Sequence, residues 1–263
     1  MRRIYGLLAA LFLVLAACGS DSKAPTANAP ASSSAASAAS GPVTVFAAAS
    51  LTESFNNEKT TLQTEQPGLT VTYSFAGSGT LVTQIQQGAP ADVIATADMA
   101  SMQKLVDAGL VETPTVFAHN KLEIIVAPGN PKGIHTLADL ARGDINVVLA
   151  DPSVPAGKYA AQILTTAKVT VNPKSLETDV KSTVARVTSG EADAAIVYVT
   201  DVKAAGGAAL GVEIPDSQNV VADYPIAVVK ASAYHDAAVA FVNAIVKGSG
   251  QTALASSGFL PAS

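Results

Sequence analysis

The stretch VFAAASLTESF, Val45–Phe55, starts as a buried strand and ends as a helix. At the join, three alanines precede Ser50, and Glu53 follows three residues later. Residues with almost no side chain let another group come close to the backbone, and a helix start carries amide hydrogens that its own helix cannot bond. Ser50 with Glu53 also has the spacing of a capping box, which would satisfy those amides locally.

The same pattern recurs outward from this join. LTVTYSF alternates, with Leu69, Val71, Tyr73 and Phe75 on one side of a strand, and a helix over Thr80–Gln87 stops at Gly88. DVIATAD is a short strand, with Asp98 as the cap of a helix that ends at Gly109. Lys121–Ala127 is a strand, Thr136–Ala141 a short helix, and INVVLA a strand leading through DPSVPAG into a helix. Asp179 caps a helix through Ser189, AAIVYV is a strand, and PIAVVK precedes a helix over Tyr234–Lys247. Alternation of this kind implies an α/β body of parallel strands flanked by helices. Ligands of such sheets collect at the carboxyl ends of the strands, where helices begin.

Four of the strand-to-helix junctions share one chemistry: AAAS-LTE, FAGSGT, DPSVPAGK and LETDV each offer small residues, hydroxyls or amides at a helix start. Taken singly, each is accounted for by its own helix. Periodicity does not say whether they converge.

Met1-Arg2-Arg3 followed by the apolar run Ile4–Ala17, 14 residues long, reads as a signal peptide, since a spanning helix needs about 20. The run ends LAAC, which resembles a lipobox: cleavage before Cys18 would leave that cysteine to carry lipid. Cys18 is the chain's one cysteine, so no internal disulfide or multi-cysteine metal site is expected. Residues 18–41 then form a Ser/Ala/Pro-rich tether, poor in anything to bury. Loss of Arg2 and Arg3 with the signal takes the formal net charge from −5 to −7. An acidic body without a basic cluster argues against nucleic-acid binding, and leaves local dipoles to hold any anion.

Enzyme motifs are incomplete. The GSG of Gly77–Gly79 lacks a third glycine or a following lysine, there is no G-x-S-x-G, and SMQK of Ser101–Lys104 lacks its companion motifs. His119, His135 and His235 show no ligand spacing and read as surface residues.

VFAAASLTESF, YSFAGSGTLVTQIQQGAPADVIATAD, DPSVPAGKYA and IVYVTD, with DYPIAVVK and the terminal SSGF, together resemble the molybdate-binding proteins of bacterial ABC importers, the ModA family. The resemblance runs in order from Val43 onward. It implies a two-lobed periplasmic-binding-protein-like fold of type II, each lobe a mostly parallel sheet flanked by helices, with the ligand in the cleft. It implies oxyanion contacts from the hydroxyls of Ser50 and Ser78, the amides of Ala156 and Val180, and the phenol of Tyr198. No cofactor and no metal-cation site is implied, since molybdate or tungstate is the transported ligand. Gly77, where some relatives carry serine, is expected to matter for backbone freedom. The chain is expected to cross between lobes near Asn120–Glu123 and Asp216–Tyr224. One lobe is then 42–120 with 224–263, and the other 121–223.

The resemblance further implies a monomer, lipid-anchored outside the cytoplasm, that delivers its oxyanion to a membrane permease with a cytoplasmic ATPase. A receptor for sulfate or phosphate stays open as an alternative, as does an enzyme using Ser50 or Ser78 as nucleophile. Cys18→Ala is expected to move the protein from the membrane to the soluble fraction. Unchanged membrane retention with a cleaved N-terminus would rule out lipidation.

Overall fold

The computed structural model describes residues 39–262. The signal peptide, Cys18 and nearly all of the expected tether lie outside the described residues. Along the chain the elements are strand β1 (Gly41–Ala48), helix α1 (Thr52–Glu65), β2 (Leu69–Ala76), α2 (Ser78–Gln86), β3 (Val93–Ala95), α3 (Met99–Asp107), β4 (Thr115–Asn120) and β5 (Leu122–Val126). Then come β6 (Leu149–Ala150), α4 (Pro155–Ala167), β7 (Leu176–Glu177), α5 (Val180–Thr188), β8 (Ala194–Tyr198), α6 (Val199–Ala205) and β9 (Leu210–Glu213). The chain closes with β10 (Ala222–Val228), α7 (His235–Lys247), α8 (Ser249–Ser257) and β11 (Leu260–Pro261).

This is a two-lobed α/β fold. One sheet has the order β11-β4-β10-β3-β1-β2, and the strands of the second half pair as β8-β5-β9 and β6-β7. An isolated parallel bridge, Val147 to Ala194, ties the last two groups together. β1 lies inside its sheet and is buried on both faces: Val43, Val45 and Ala47 face the main core, and Phe46 packs with Leu81, Ile85, Ile94 and Met102. That double burial is why β1 reads as a continuous apolar run. β2 is an edge strand, and its alternation puts Tyr73 against Phe55 and Phe241.

The expectation of mostly parallel sheets is corrected. β1 pairs parallel with β2 and β3, and β6 with β7, but β10 runs antiparallel to β3 and β4, and β5 antiparallel to β8 and β9. β4 and β5 carry the chain out of the first sheet and β9 and β10 carry it back, so β10 runs against β4 and β9 against β5. β4, β9, α6, α8 and β11 are elements that periodicity did not signal. α6 starts directly after β8 with no turn residue between, and a single residue, Gly248, separates α8 from α7. Asp98 and Asp179 do cap α3 and α5, accepting from Ser101 N at 2.9 Å and Ser182 N at 2.9 Å. Gly88 and Gly109 take the left-handed conformation just past α2 and α3. Among the described residues no helix is long and apolar enough to cross a membrane.

Glu123 on β5 faces Glu213 on β9, and its carboxylate covers Gly211, where a Cβ would lie 2.3 Å from Oε2. Burial foremost, then the charge of Glu213, pushes Glu123 from the ordinary 4.5 up to about 7. The folded state therefore holds a proton that the unfolded chain releases between those values, and stability falls as pH rises through that window. Urea midpoints measured from pH 5 to pH 8 should show this slope, and Glu123→Gln should flatten it and stabilise the protein above pH 7.

Candidate functional site

β1 does not pass straight into α1. Ala48 stays extended, and Ala49–Leu51 form one 3-10 turn before Thr52 opens the α-helix. The Thr52 hydroxyl donates to the Ala49 carbonyl at 2.6 Å. The expected capping box is absent: Glu53 reaches Lys181 Nζ at 2.5 Å, and Ser50 Oγ lies 2.9 Å from the Tyr224 hydroxyl. The inserted turn puts α1's first turn beyond Ser50, so its hydroxyl is free for tertiary partners.

β2 reaches α2 through Gly77, and Ser78 is the first residue of that helix. Ser78 Oγ accepts the Ala97 amide at 3.1 Å, which occupies a lone pair and leaves the hydroxyl proton available to the cleft. Gly77 has an ordinary φ of −59°, so backbone freedom is not what it supplies. A Cβ there would stand 2.8 Å from the Thr178 carbonyl and 3.0 Å from Val154 Cγ1. The glycine lets elements of the two halves approach each other.

On the other side, Pro155 opens α4, and its fixed φ suits a first helical position. Ala156 follows, with an amide that has no carbonyl four residues back inside its own helix. Val180 stands likewise at the start of α5. Asp179 spends both carboxylate oxygens on its own cap, taking Ser182 N at 2.9 Å and Ser182 Oγ at 3.0 Å. Tyr198 ends β8, its amide held by Asp201 Oδ2 at 3.2 Å. Among the described residues its buried hydroxyl has no hydrogen-bond partner, and its ring packs edge-on against that of Tyr224. Burial foremost, with Tyr224 adding to it, raises the Tyr198 pKa well above the usual phenol value, so the proton stays on.

Ser50, Ser78, Ala156, Val180 and Tyr198 all line one small cavity, with Ala48, Ala49 and Ala97 supplying close-approach surface. The four junctions singled out by their chemistry therefore meet at one place, and the start of α6 makes a fifth. Among the described residues no lysine, arginine or histidine lines the cavity. Lys181 is engaged by Glu53 and by Asp201 at 3.4 Å, and Lys158 by Asp98 at 3.3 Å. His119 contacts Asp223 and is half-buried, while His135 and His235 are exposed. Among the described residues no group of His, Cys, Asp and Glu could hold a metal ion.

Tyr224 and Ala97 were not among the expected site residues. Tyr224 lies 174 positions from the serine it touches, and nothing local marks it. Ala97 offers only a backbone amide to Ser78, which composition does not reveal.

The cleft between two α/β lobes, walled by helix starts and hydroxyls, has the form of a binding site for a small solute. Residues 43–260 match the family described as bacterial extracellular solute-binding protein. The molybdate-binding protein ModA of Mycobacterium tuberculosis is 40% identical over 256 residues, covering 97% of this chain and 96% of that protein. The chain belongs to the ModA family of solute-binding proteins. Among solved structures, the periplasmic molybdate-binding protein of Azotobacter vinelandii matches with a TM-score of 0.74 at 19% identity, covering 84% of this chain and 100% of that one. The sulfate-binding protein SubI of Mycobacterium tuberculosis matches with 0.76 at 23% identity, covering 84% and 86%. These two share the fold.

A buried hydroxyl without a partner costs about 1–3 kcal/mol. In oxyanion-free buffer, Tyr198→Phe should therefore be at least as stable as the parent by chemical denaturation. A clear loss of stability would mean that the phenol bonds within the protein.

Proposed function

We propose that the cavity captures molybdate, and tungstate alongside it, for delivery to an ABC importer. The observation that carries this reading is a wall made of donors: amides at Ala156 and Val180, and hydroxyls at Ser50, Ser78 and Tyr198. Each helix start contributes roughly half a positive charge, so several together can hold a dianion without a buried lysine. Molybdate carries no proton at pH 7 and accepts from every side. Phosphate keeps a proton, its relevant pKa being about 6–7 by analogy with phosphate esters. That proton needs an acceptor, and Asp179, the carboxylate at the wall, is committed to its helix cap. Sulfate is fully deprotonated, so only its smaller size disfavours it.

The reading is of a receptor and not an enzyme. A nucleophilic serine needs a base, and the groups bonded to Ser50 and Ser78 are a phenol and an amide. The lobes on this reading are 42–120 with 224–263, and 121–223. Support comes from the strands: the six-stranded sheet draws on Gly41–Asn120 and Ala222–Pro261, the others on Leu122–Glu213. The partners are a membrane permease and its cytoplasmic ATPase, met by a monomer anchored through lipid on Cys18, with no nucleic acid involved.

Calorimetry with molybdate, tungstate, sulfate and phosphate at one pH tests the reading. Molybdate and tungstate should bind tightest and phosphate should fail. Phosphate binding as tightly as molybdate would sink the donor-only cavity. Tyr198→Phe removes one hydrogen bond to a charged ligand, so molybdate affinity should fall roughly ten- to a hundredfold.

A further inference from the structure

The Ser50 and Tyr224 hydroxyls share one hydrogen between oxygens 2.9 Å apart, and the direction of that bond decides what Ser50 offers the cavity. If Ser50 donates to Tyr224, it turns lone pairs toward the cleft and repels an anion. If Tyr224 donates, the proton of Ser50 is released toward the ligand. Ser50 cannot choose alone, because a hydroxyl has a single proton.

The surroundings of Tyr224 set the direction. The Lys121 amide donates to Asn120 Oδ1 at 3.0 Å, which fixes the orientation of that side-chain amide. Asn120 Nδ2 therefore points its hydrogens the other way, giving one to Thr200 Oγ1 at 2.9 Å. Among the described residues the Tyr224 phenol has Ser50 as its hydrogen-bond partner, so a Ser50 donor would leave the buried phenol proton unpaired, whereas a Tyr224 donor satisfies it. Tyr224 is fully buried, and burial raises its pKa far above the usual phenol value, so the proton is present at any working pH. The ring is clamped edge-on by Phe117, Phe259 and Tyr198, so its oxygen has little room to move.

We infer that Tyr224 is a positioning residue, whose phenol donates to Ser50 Oγ and so commits the Ser50 hydroxyl to donate to the anion in the cleft. The wiring runs from Tyr224 on β10 to Ser50 ahead of α1. Asn120 and Tyr224 stand on β4 and β10, next to where the chain leaves and re-enters the six-stranded sheet. Thr200, which accepts from Asn120, is on α6 in the second half. The donor state of Ser50 is thus set where the two halves meet. The inference rests on the oxyanion reading above and adds the residue that makes one of its donors obligatory.

The test is a double-mutant cycle on the full chain, with molybdate affinity measured by calorimetry for the parent, Tyr224→Phe, Ser50→Ala and the double variant. Tyr224→Phe should lose roughly three- to tenfold in affinity, the scale of one neutral hydrogen bond. In the Ser50→Ala background the same change should cost almost nothing further. Equal losses in both backgrounds, or no loss in the parent background, would overturn the inference. Phosphate competition gives a second readout that general loosening of the fold would not move. Once released, Ser50 can accept the phosphate proton, so the molybdate-to-phosphate preference should narrow in Tyr224→Phe, and an unchanged preference counts against the wiring. If Tyr224→Phe does not fold, 3-fluorotyrosine at 224 keeps the packing and strengthens the donor. Molybdate affinity should then rise, and an unchanged or lower affinity would overturn the inference. A parent protein that binds none of the four oxyanions would instead remove the reading on which the inference rests.

Discussion

An α-helix cannot bond its own first amides, and this chain places the starts of several helices around one small cavity. Amide hydrogens at a helix start have no partner inside their own helix, so a wall built of them suits a ligand rich in acceptors. The rest of the architecture follows from that constraint. Strands β1 and β2 end at the cavity so that the turn before α1 and the start of α2 point into it, and the second half brings α4, α5 and β8 to the facing wall. Alanines at 48, 49 and 97 and the glycine at 77 are small because backbone, and not side chain, must form the surface there.

The cationic side chains nearest this arrangement are occupied elsewhere. Lys181 bridges Glu53 on α1 and the buried carboxylate of Asp201, which burial pushes up to about 6 against the opposing pull of Lys181. Lys158 pairs with Asp98, whose other oxygen caps α3. Both pairs join one half of the molecule to the other. Their lysines and Glu53 are partly exposed, and exposed pairs contribute about 0–1 kcal/mol, too little to hold a cleft shut on their own. Closure that depends on such contacts stays reversible, as a carrier that must release its cargo requires. Tyr224 and Asn120 serve a different purpose: buried and packed, they orient other groups.

The two strand connections explain why the sheets are mixed. β4 and β5 carry the chain out through the single residue Lys121, and β9 and β10 carry it back, so the returning strands run antiparallel to the outgoing ones. The Asn120–Thr200 hydrogen bond joins β4 to α6 beside the first of these connections.

Much was legible in the sequence by itself. Val45–Phe55 carried the strand-to-helix handover, Asp98 and Asp179 announced their caps, and the small and hydroxyl-bearing junctions marked the candidate site, because each signal depends on residues within a few positions of one another. The ordered set of motifs also pointed to the family. The tertiary structure alone decided what depends on distant partners. It turned Ser50 from a helix cap to Tyr224 across 174 positions, sent Glu53 to Lys181, and assigned Gly77 to close approach of Thr178 and not to backbone freedom. It also set the strand directions in the second half, where β5 pairs with β8 and β9, far from it in the sequence. The physical reason is one of range: caps and periodicity are local and written in neighbouring residues, whereas the direction of a buried hydrogen bond is set by groups that meet only after the chain has folded.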